Sequence, residues 1–278
     1  MNETATAPVA TAAAPAAALR PSTRRYAGYA LDLDGTVYLD DHLLPGADEA
    51  IARLRAEGAR VVFVTNKPLD LAHGYADKLT RLGIPTSAED VVTALDALVL
   101  YLRERHPQAR VLTVAEPLVD SLLVDAGFTL GCEPEDVDIV VVSFDRTFDY
   151  AKLHAAYRAV RAGAAIVATN PDPYCPTADG GLPDCAAMLA AIEACTGARA
   201  EAIVGKPSSH MARAFLDRLG VPASETAMVG DRLATDVAMG NTAGMAGILV
   251  LSGATTPSDL ARSDVRPHAV VSSLRDLL

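Results

Sequence analysis

From Tyr29 onward, short runs of aliphatic and β-branched residues alternate with longer stretches that carry apolar residues every three or four positions. A short run that is apolar throughout fits a strand buried on both faces, and the longer stretches fit helices with one apolar stripe. The pattern predicts strands over 28–33, 60–65, 110–115, 138–143, 164–168, 202–204, 227–229, 247–251 and 269–271. It predicts helices over 46–57, 71–82, 94–105, 117–126, 150–161, 186–196, 209–219 and 233–243. Gly58, Gly83, Gly127, Gly163, Gly197 and Gly220 stand where those helices should stop, the usual place for a glycine past a helix end. Strand–helix alternation of this kind implies an α/β fold of mainly parallel, doubly wound sheet covered on both faces. The strands are too many for one small sheet, and the polar motifs fall in two blocks, 29–70 and 203–245. A domain inserted into another domain explains the split. The predicted division is a core of 26–92 and 184–278 interrupted by an inserted domain over 93–183.

Composition narrows the class. With 278 residues the chain can form one large domain or two ordinary ones, and half its residues are hydrophobic. The formal net charge of −11 argues against a nucleic-acid surface, whose footprint is basic. It also means that an anionic substrate has to be held by local cations or a metal. The four cysteines, Cys132, Cys175, Cys185 and Cys195, show neither CxxC spacing nor a Cys/His cluster, so neither a disulfide framework nor a zinc site is expected. No run reaches the roughly 18 apolar residues of a membrane span. Residues 1–25 are rich in Ala, Pro and Thr, and Arg24-Arg25 follows the apolar stretch instead of preceding it, the wrong order for an export signal. They read as a disordered tail, and the expected location is cytoplasmic.

The candidate chemistry begins with YALDLDGTVYLDD, residues 29–41. Burying a carboxylate costs several kcal/mol unless it is paired, hydrogen-bonded or bound to a metal. Yet Asp32 and Asp34 stand at the end of an apolar strand, two residues apart and so on one side of it, with Gly35 and Thr36 breaking the strand at once. The C-terminal edge of such a sheet is where open α/β folds hold ligands, and paired carboxylates there suit a hard cation such as Mg²⁺. Asp40 and Asp41 lie beyond the turn and read as solvated. VVFVTN, 61–66, brings Thr65 and Asn66 to a second strand end as hydrogen-bond donors. IVGKPS, 203–208, brings Lys206 to a third, and AMVGDRLATD, 227–236, brings Asp231 to a fourth, with Asp236 at the following helix start. Each block alone has a plain reading: turn-capping acids, a Thr–Asn turn, a solvated lysine, a helix cap. Together and in this order they place acids, hydroxyl and amide donors and an ammonium at neighbouring strand ends. A Mg²⁺ among Asp32, Asp34 and Asp231 would offset their repulsion and, with Lys206, hold a phosphoryl group before Asp32.

DLDGT, VTN, GKP and GDRLATD in that order resemble the four motifs of the haloacid dehalogenase-like hydrolases. The spacing is similar to the branch with an inserted α/β cap, which includes 4-nitrophenylphosphatase-like, pyridoxal phosphate, phosphoglycolate and nucleotide monophosphatases. The resemblance spans about residues 26–278 and implies a Rossmann-like core under a cap domain. It implies that Asp32 is the nucleophile, forming an aspartyl-phosphate, and Asp34 the general acid and base. Mg²⁺ would be held by Asp32, the Asp34 carbonyl and Asp231, with Asp236 in support, and Thr65, Asn66 and Lys206 would bind the phosphoryl group. Tyr174 and Cys175, in the segment 168–188, would overhang the site and touch the leaving group. The implied partner is a small phosphorylated metabolite, with cap-mediated homodimers known in the family.

Two departures from the family pattern stand out. TNKP replaces the commoner TNNP or TNNS, so Lys67 adds a cation that suits a substrate with a second anionic group. LPDC replaces a Gly-rich return, putting Asp184 and Cys185 where close backbone approach is usual. The reading is a Mg²⁺-dependent phosphatase of sugar phosphates or nucleoside monophosphates. The alternatives are a phosphotransferase or dehalogenase on the same fold, or a non-catalytic sugar-phosphate-binding module. Asp34 and the Asp231/Asp236 pair argue against dehalogenation, which needs neither a metal nor a second acid.

Overall fold

The computed structural model describes residues 24–131, 133–175 and 181–277. Residues 1–23 of the expected tail, Cys132, residues 176–180 of the 168–188 segment and Leu278 lie outside the described residues. Arg24 and Arg25 do not belong to a tail. Arg24 donates to the Ser224 carbonyl at 2.8 Å, and Arg25 pairs with Glu57 at 3.4 Å.

Along the chain, β1 (Gly28–Asp32) is followed by a small hairpin, β2 (Tyr38–Leu39) and β3 (His42–Leu43). Then come α1 (Ala47–Ala56), β4 (Arg60–Thr65), α2 (Ala72–Arg81), β5 (Val91–Thr93) and α3 (Ala94–Arg105). The middle of the chain forms β6 (Arg110–Val114), α4 (Pro117–Asp125), β7 (Thr129–Leu130), β8 (Ile139–Val142), α5 (Tyr150–Ala162) and β9 (Ala165–Ala168). A second hairpin, β10 (Tyr174–Cys175) and β11 (Leu182–Pro183), leads to α6 (Cys185–Thr196) and β12 (Ala202–Ile203). The last part holds α7 (Ser209–Leu219), β13 (Thr226–Gly230), α8 (Ala238–Thr242), β14 (Ala246–Val250), α9 (Pro257–Arg262) and β15 (Ala269–Val271).

Two parallel sheets result. The first has the order β15-β14-β13-β1-β4-β5 and the second β12-β9-β8-β6-β7. In the first, alternate side chains feed two apolar layers: Tyr29, Leu31, Phe63 and Val229 enter one, and Ala30, Val62, Val64 and Met228 the other. The second layer continues through α3 and α7 to Val111, Val141 and Val167 of the second sheet. This is the predicted doubly wound α/β architecture. None of the helices among the described residues is long and apolar enough to cross a membrane.

The return from the inserted unit comes later than 184. α6 packs on α5 and β8, burying Cys185, Met188, Leu189 and Ile192 against Val140, Val142 and Ile166, and β12 is the edge strand of the second sheet. The apolar stripe of α6 is what covers that sheet's open face, so the inserted unit runs through Ile203. The pattern also misses β5, only three residues long, and α9. The helix predicted over 233–243 is a π-helical turn, Leu233–Val237, followed by α8.

Candidate active site

β1 is central in the first sheet, between β13 and β4, and its register sets Asp32 beside Val64. The ends of β1, β4 and β13 therefore bring Asp32, Thr65 and Asp231 to one edge. Gly35 makes the approach possible. Its φ is +87°, and a Cβ there would lie 2.6 Å from Asp231 Oδ2.

Lys206 arrives from the other sheet. The sequence places it on a strand end of the core, but β12 pairs with β9 of the second sheet, and the loop after β12 carries the ammonium across to Asp32. Lys206 is 3% exposed, hydrogen-bonds Asp32 Oδ1 through Nζ and lies 2.8 Å from Asp236 Oδ1. Thr36 Oγ1 donates to Asp32 Oδ2 at 3.2 Å. Asp236 Oδ2 accepts the Arg232 N–H at 3.0 Å, and Asp231 Oδ2 accepts that of Ala254 at 2.5 Å. Oxygens of the buried Asp32, Asp231 and Asp236 all lie within 4.8 Å of one another.

Three buried carboxylates and one ammonium are not balanced. Burial, and then the charges of Asp32 and Asp236, push Asp231 up to about 8. Burial also raises Asp236, to about 6, against the pull of Lys206. Burial disfavours a charged Lys206, yet Asp236 and Asp32 outweigh it and hold the ammonium above its ordinary value. Three buried carboxylates within 4.8 Å of one another, with a single ammonium to offset them, fit a hard divalent cation. The Asp34 side chain stands outside this group. Its Oδ1 takes Lys67 Nζ at 3.0 Å while Oδ2 is buried without a partner, and burial holds the carboxyl above its ordinary value despite Lys67.

Two family models match the chain: a haloacid dehalogenase-like hydrolase model over residues 29–129 and an HAD-hydrolase-like model over 203–277. A sugar phosphatase, AraL, of Bacillus subtilis is 36% identical over 252 residues, covering 90% of this chain and 92% of that protein. A 5'-nucleotidase, YutF, of the same organism is 33% identical over 91% of this chain and 98% of its own length. The chain belongs to the haloacid dehalogenase-like hydrolases. Among solved structures, the 4-nitrophenylphosphatase of Thermotoga maritima superposes with a TM-score of 0.85 at 38% identity, covering 91% of this chain and 96% of that one.

In this hydrolase a cavity in front of Asp32 is also lined by Asp34, Thr65, Asn66, Lys67, Tyr174, Cys175, Lys206 and Asp231, so the sequence-derived residues converge. Their contacts refine the expectations. Thr65 Oγ1 accepts the Lys67 N–H at 3.0 Å. Asn66 is a joint: Oδ1 accepts the Lys206 N–H at 2.7 Å, and Nδ2 donates to the Lys206 carbonyl at 3.1 Å and to Asp172 at 2.8 Å. Gly205 is required beside it, because a Cβ there would lie 2.4 Å from the Thr169 carbonyl and 2.6 Å from Asn66 Oδ1. Lys67 spends its charge on Asp34 and has Cys175 beside it, which weakens its suitability for a second substrate anion. Burial pushes the Cys175 thiol up. Of the turn acids, Asp41 pairs with Lys78 at 3.3 Å and is solvent-exposed.

Asp172, Asp184, Arg232 and Thr235 also line the cavity, and the sequence motifs did not single out Asp172, Arg232 or Thr235. Arg232 lies inside GDRLATD and Asp172 inside TNPDPY, so each motif's flanking residues were the available signal. Asp184 is the N-cap of α6, its carboxylate accepting the Cys185 N–H at 2.6 Å. Burial raises it to about 6. A carboxyl raised in the folded state costs stability above that value and costs nothing below its unfolded value. Asp184→Asn, which can still cap the helix, should therefore stabilise the protein at pH 7–8 by on the order of 1–3 kcal/mol. The gain should vanish near pH 4, as read by denaturant unfolding across pH.

Proposed function

We propose that this phosphatase is Mg²⁺-dependent and hydrolyses phosphate monoesters of small metabolites, sugar phosphates or nucleoside monophosphates, through a phosphorylated Asp32. The carrying observation is the Asp32 carboxylate, bound by Lys206 at the mouth of a cavity and grouped with two further buried acids. The names of the relatives, sugar phosphatase and 5'-nucleotidase, support the substrate classes.

The chain's own groups divide the work. An Asp32 oxygen forms a bond to phosphorus as the ester P–O bond breaks, and the leaving alkoxide takes the proton held on Asp34. Asp34, now ionised, removes a proton from water, whose oxygen bonds to phosphorus while the bond to Asp32 breaks, releasing inorganic phosphate. Lys206 meets the negative charge of the phosphoryl oxygens, with Thr65 and Asn66 beside it. Mg²⁺ would be held by Asp32, Asp231 and the Asp34 carbonyl, with Asp236 behind them, and supplies the positive charge that lets two anions meet. The proposed location is cytoplasmic. Two copies pair through the cap, which sedimentation of the full chain would test.

Phosphate release from 4-nitrophenyl phosphate, with Mg²⁺ and with EDTA, tests this reading. Turnover that needs Mg²⁺ is expected. No turnover in either condition would remove the phosphatase mechanism, and undiminished turnover in EDTA would remove the metal. Asp34→Asn should lower kcat by roughly 10²–10⁴-fold and leave the enzyme phosphorylated during turnover.

A further inference from the structure

Two lysines line the cavity in front of Asp32, and each holds a different aspartate. Lys206 Nζ contacts Asp32 and Asp236, whereas Lys67 Nζ donates to Asp34 Oδ1 at 3.0 Å. The Lys67 and Asp34 side chains are 22% and 15% exposed, so this second pair is largely shielded from solvent.

The backbone of Lys67 is fixed as well. Its N–H donates to Thr65 Oγ1 at 3.0 Å, and its carbonyl accepts the buried Tyr75 hydroxyl of α2 at 2.7 Å. The turn from β4 into α2 is thus held on both sides of the residue, and the four-carbon stem delivers the ammonium to the acid beyond the end of β1. Buried Cys175 of β10 is also against that ammonium. Asp34 is held from its own side by a backbone bridge to Tyr38.

The result is an asymmetric carboxyl. An ammonium has three donors and no acceptor, so the oxygen that takes Lys67 cannot also carry a proton towards it. Oδ2 is left to carry one, and Oδ2 is buried without a partner. A buried oxygen of this kind calls for a partner, and beside this cavity that partner is the leaving-group oxygen or the attacking water.

We infer that Lys67 is a positioning residue for the proton transfers: by holding Oδ1 it presents Asp34 Oδ2 first to the leaving group and then to water. The inference rests on the reading of Asp34 as acid and base and adds the group that orients it. As the ester P–O bond breaks, the proton on Oδ2 passes to the leaving oxygen, and the charge left on the carboxylate lies beside the ammonium. Oδ2 then accepts a proton from the water that attacks phosphorus. Lys67 keeps its three protons throughout. Without Lys67 the carboxyl is free to turn about its Cβ–Cγ bond and to carry its proton away from the leaving group.

Phenyl phosphate and 4-nitrophenyl phosphate test this role. Neither leaving group carries a second anionic group, so a lysine that served only to bind such an anion would not tell them apart. Phenol, the weaker acid, depends more on a proton delivered as it departs. kcat/KM for both esters is measured with Mg²⁺ for the full chain, Asp34→Asn, Lys67→Met and Lys67→Arg, each at its own pH optimum. In Lys67→Met the ratio of kcat/KM for phenyl phosphate to that for 4-nitrophenyl phosphate should fall at least about tenfold, in the direction of Asp34→Asn. Lys67→Arg, which keeps a charged donor, should stay closer to wild type. The ratio is taken within one variant, so a smaller folded fraction lowers both values alike and does not move it. Equal losses on the two esters in Lys67→Met, or no loss on either, would overturn the inference. An unchanged ratio in Asp34→Asn would instead remove Asp34 as the acid, and this inference with it. Absence of wild-type turnover of both esters would remove the phosphatase reading itself.

Discussion

Asp32→Asn should abolish turnover, with a loss on the order of 10⁴-fold or more, because an amide cannot serve as the nucleophile. The substitution keeps the size of the side chain, and Lys206 keeps Asp236 as a partner. It also removes one of the charges that raise Asp231 and Asp236. The metal-free variant should therefore unfold within a few degrees of wild type, measured by thermal scans in EDTA. Loss of activity with retained stability separates a missing nucleophile from a collapsed site. Near-normal rates would make the nucleophile assignment wrong.

Lys206→Met should cost both activity and stability. The ammonium is almost fully buried and touches Asp32 and Asp236, so its removal leaves three carboxylates within 4.8 Å with no cation among them. Removing one partner from a buried ionic group costs about 3–5 kcal/mol, and loss of the group that meets the phosphoryl charge should lower kcat about 10²–10³-fold or more. The sign of the pH dependence follows. Without Lys206 the folded-state value of Asp236 rises further above its unfolded one, so the cost is full at high pH and relieved as falling pH protonates it. Denaturant unfolding in EDTA should show the variant recovering towards wild type between pH 8 and pH 5. A deficit independent of pH would mean that packing, not charge, accounts for the loss.

Much of this site could be read from residue order. Asp32 and Asp34 declared themselves because carboxylates at the end of an apolar strand demand a reason, and the helix and strand periods located the other strand ends. What escaped was set by pairing across the chain. A two-residue strand such as β12 looks the same whichever sheet it joins, and only its register with β9 shows that Lys206 comes from the inserted unit. The boundary at 184 failed for a related reason: the chain does approach the site near Asp184, but α6 then turns back to cover the second sheet. Lys67 carried a visible charge and an invisible partner, Asp34. Asp172 and Asn66 are 106 positions apart, and no local pattern could join them.

The central claim, that Asp32 carries the phosphoryl group, is tested most directly by trapping it. Asp34→Asn is mixed with 4-nitrophenyl phosphate and Mg²⁺, quenched in acid, digested, and its peptides mapped by mass spectrometry. One base-labile phosphoryl group on Asp32 is predicted. A phosphoryl group on another residue, or steady turnover with none attached, would contradict the account.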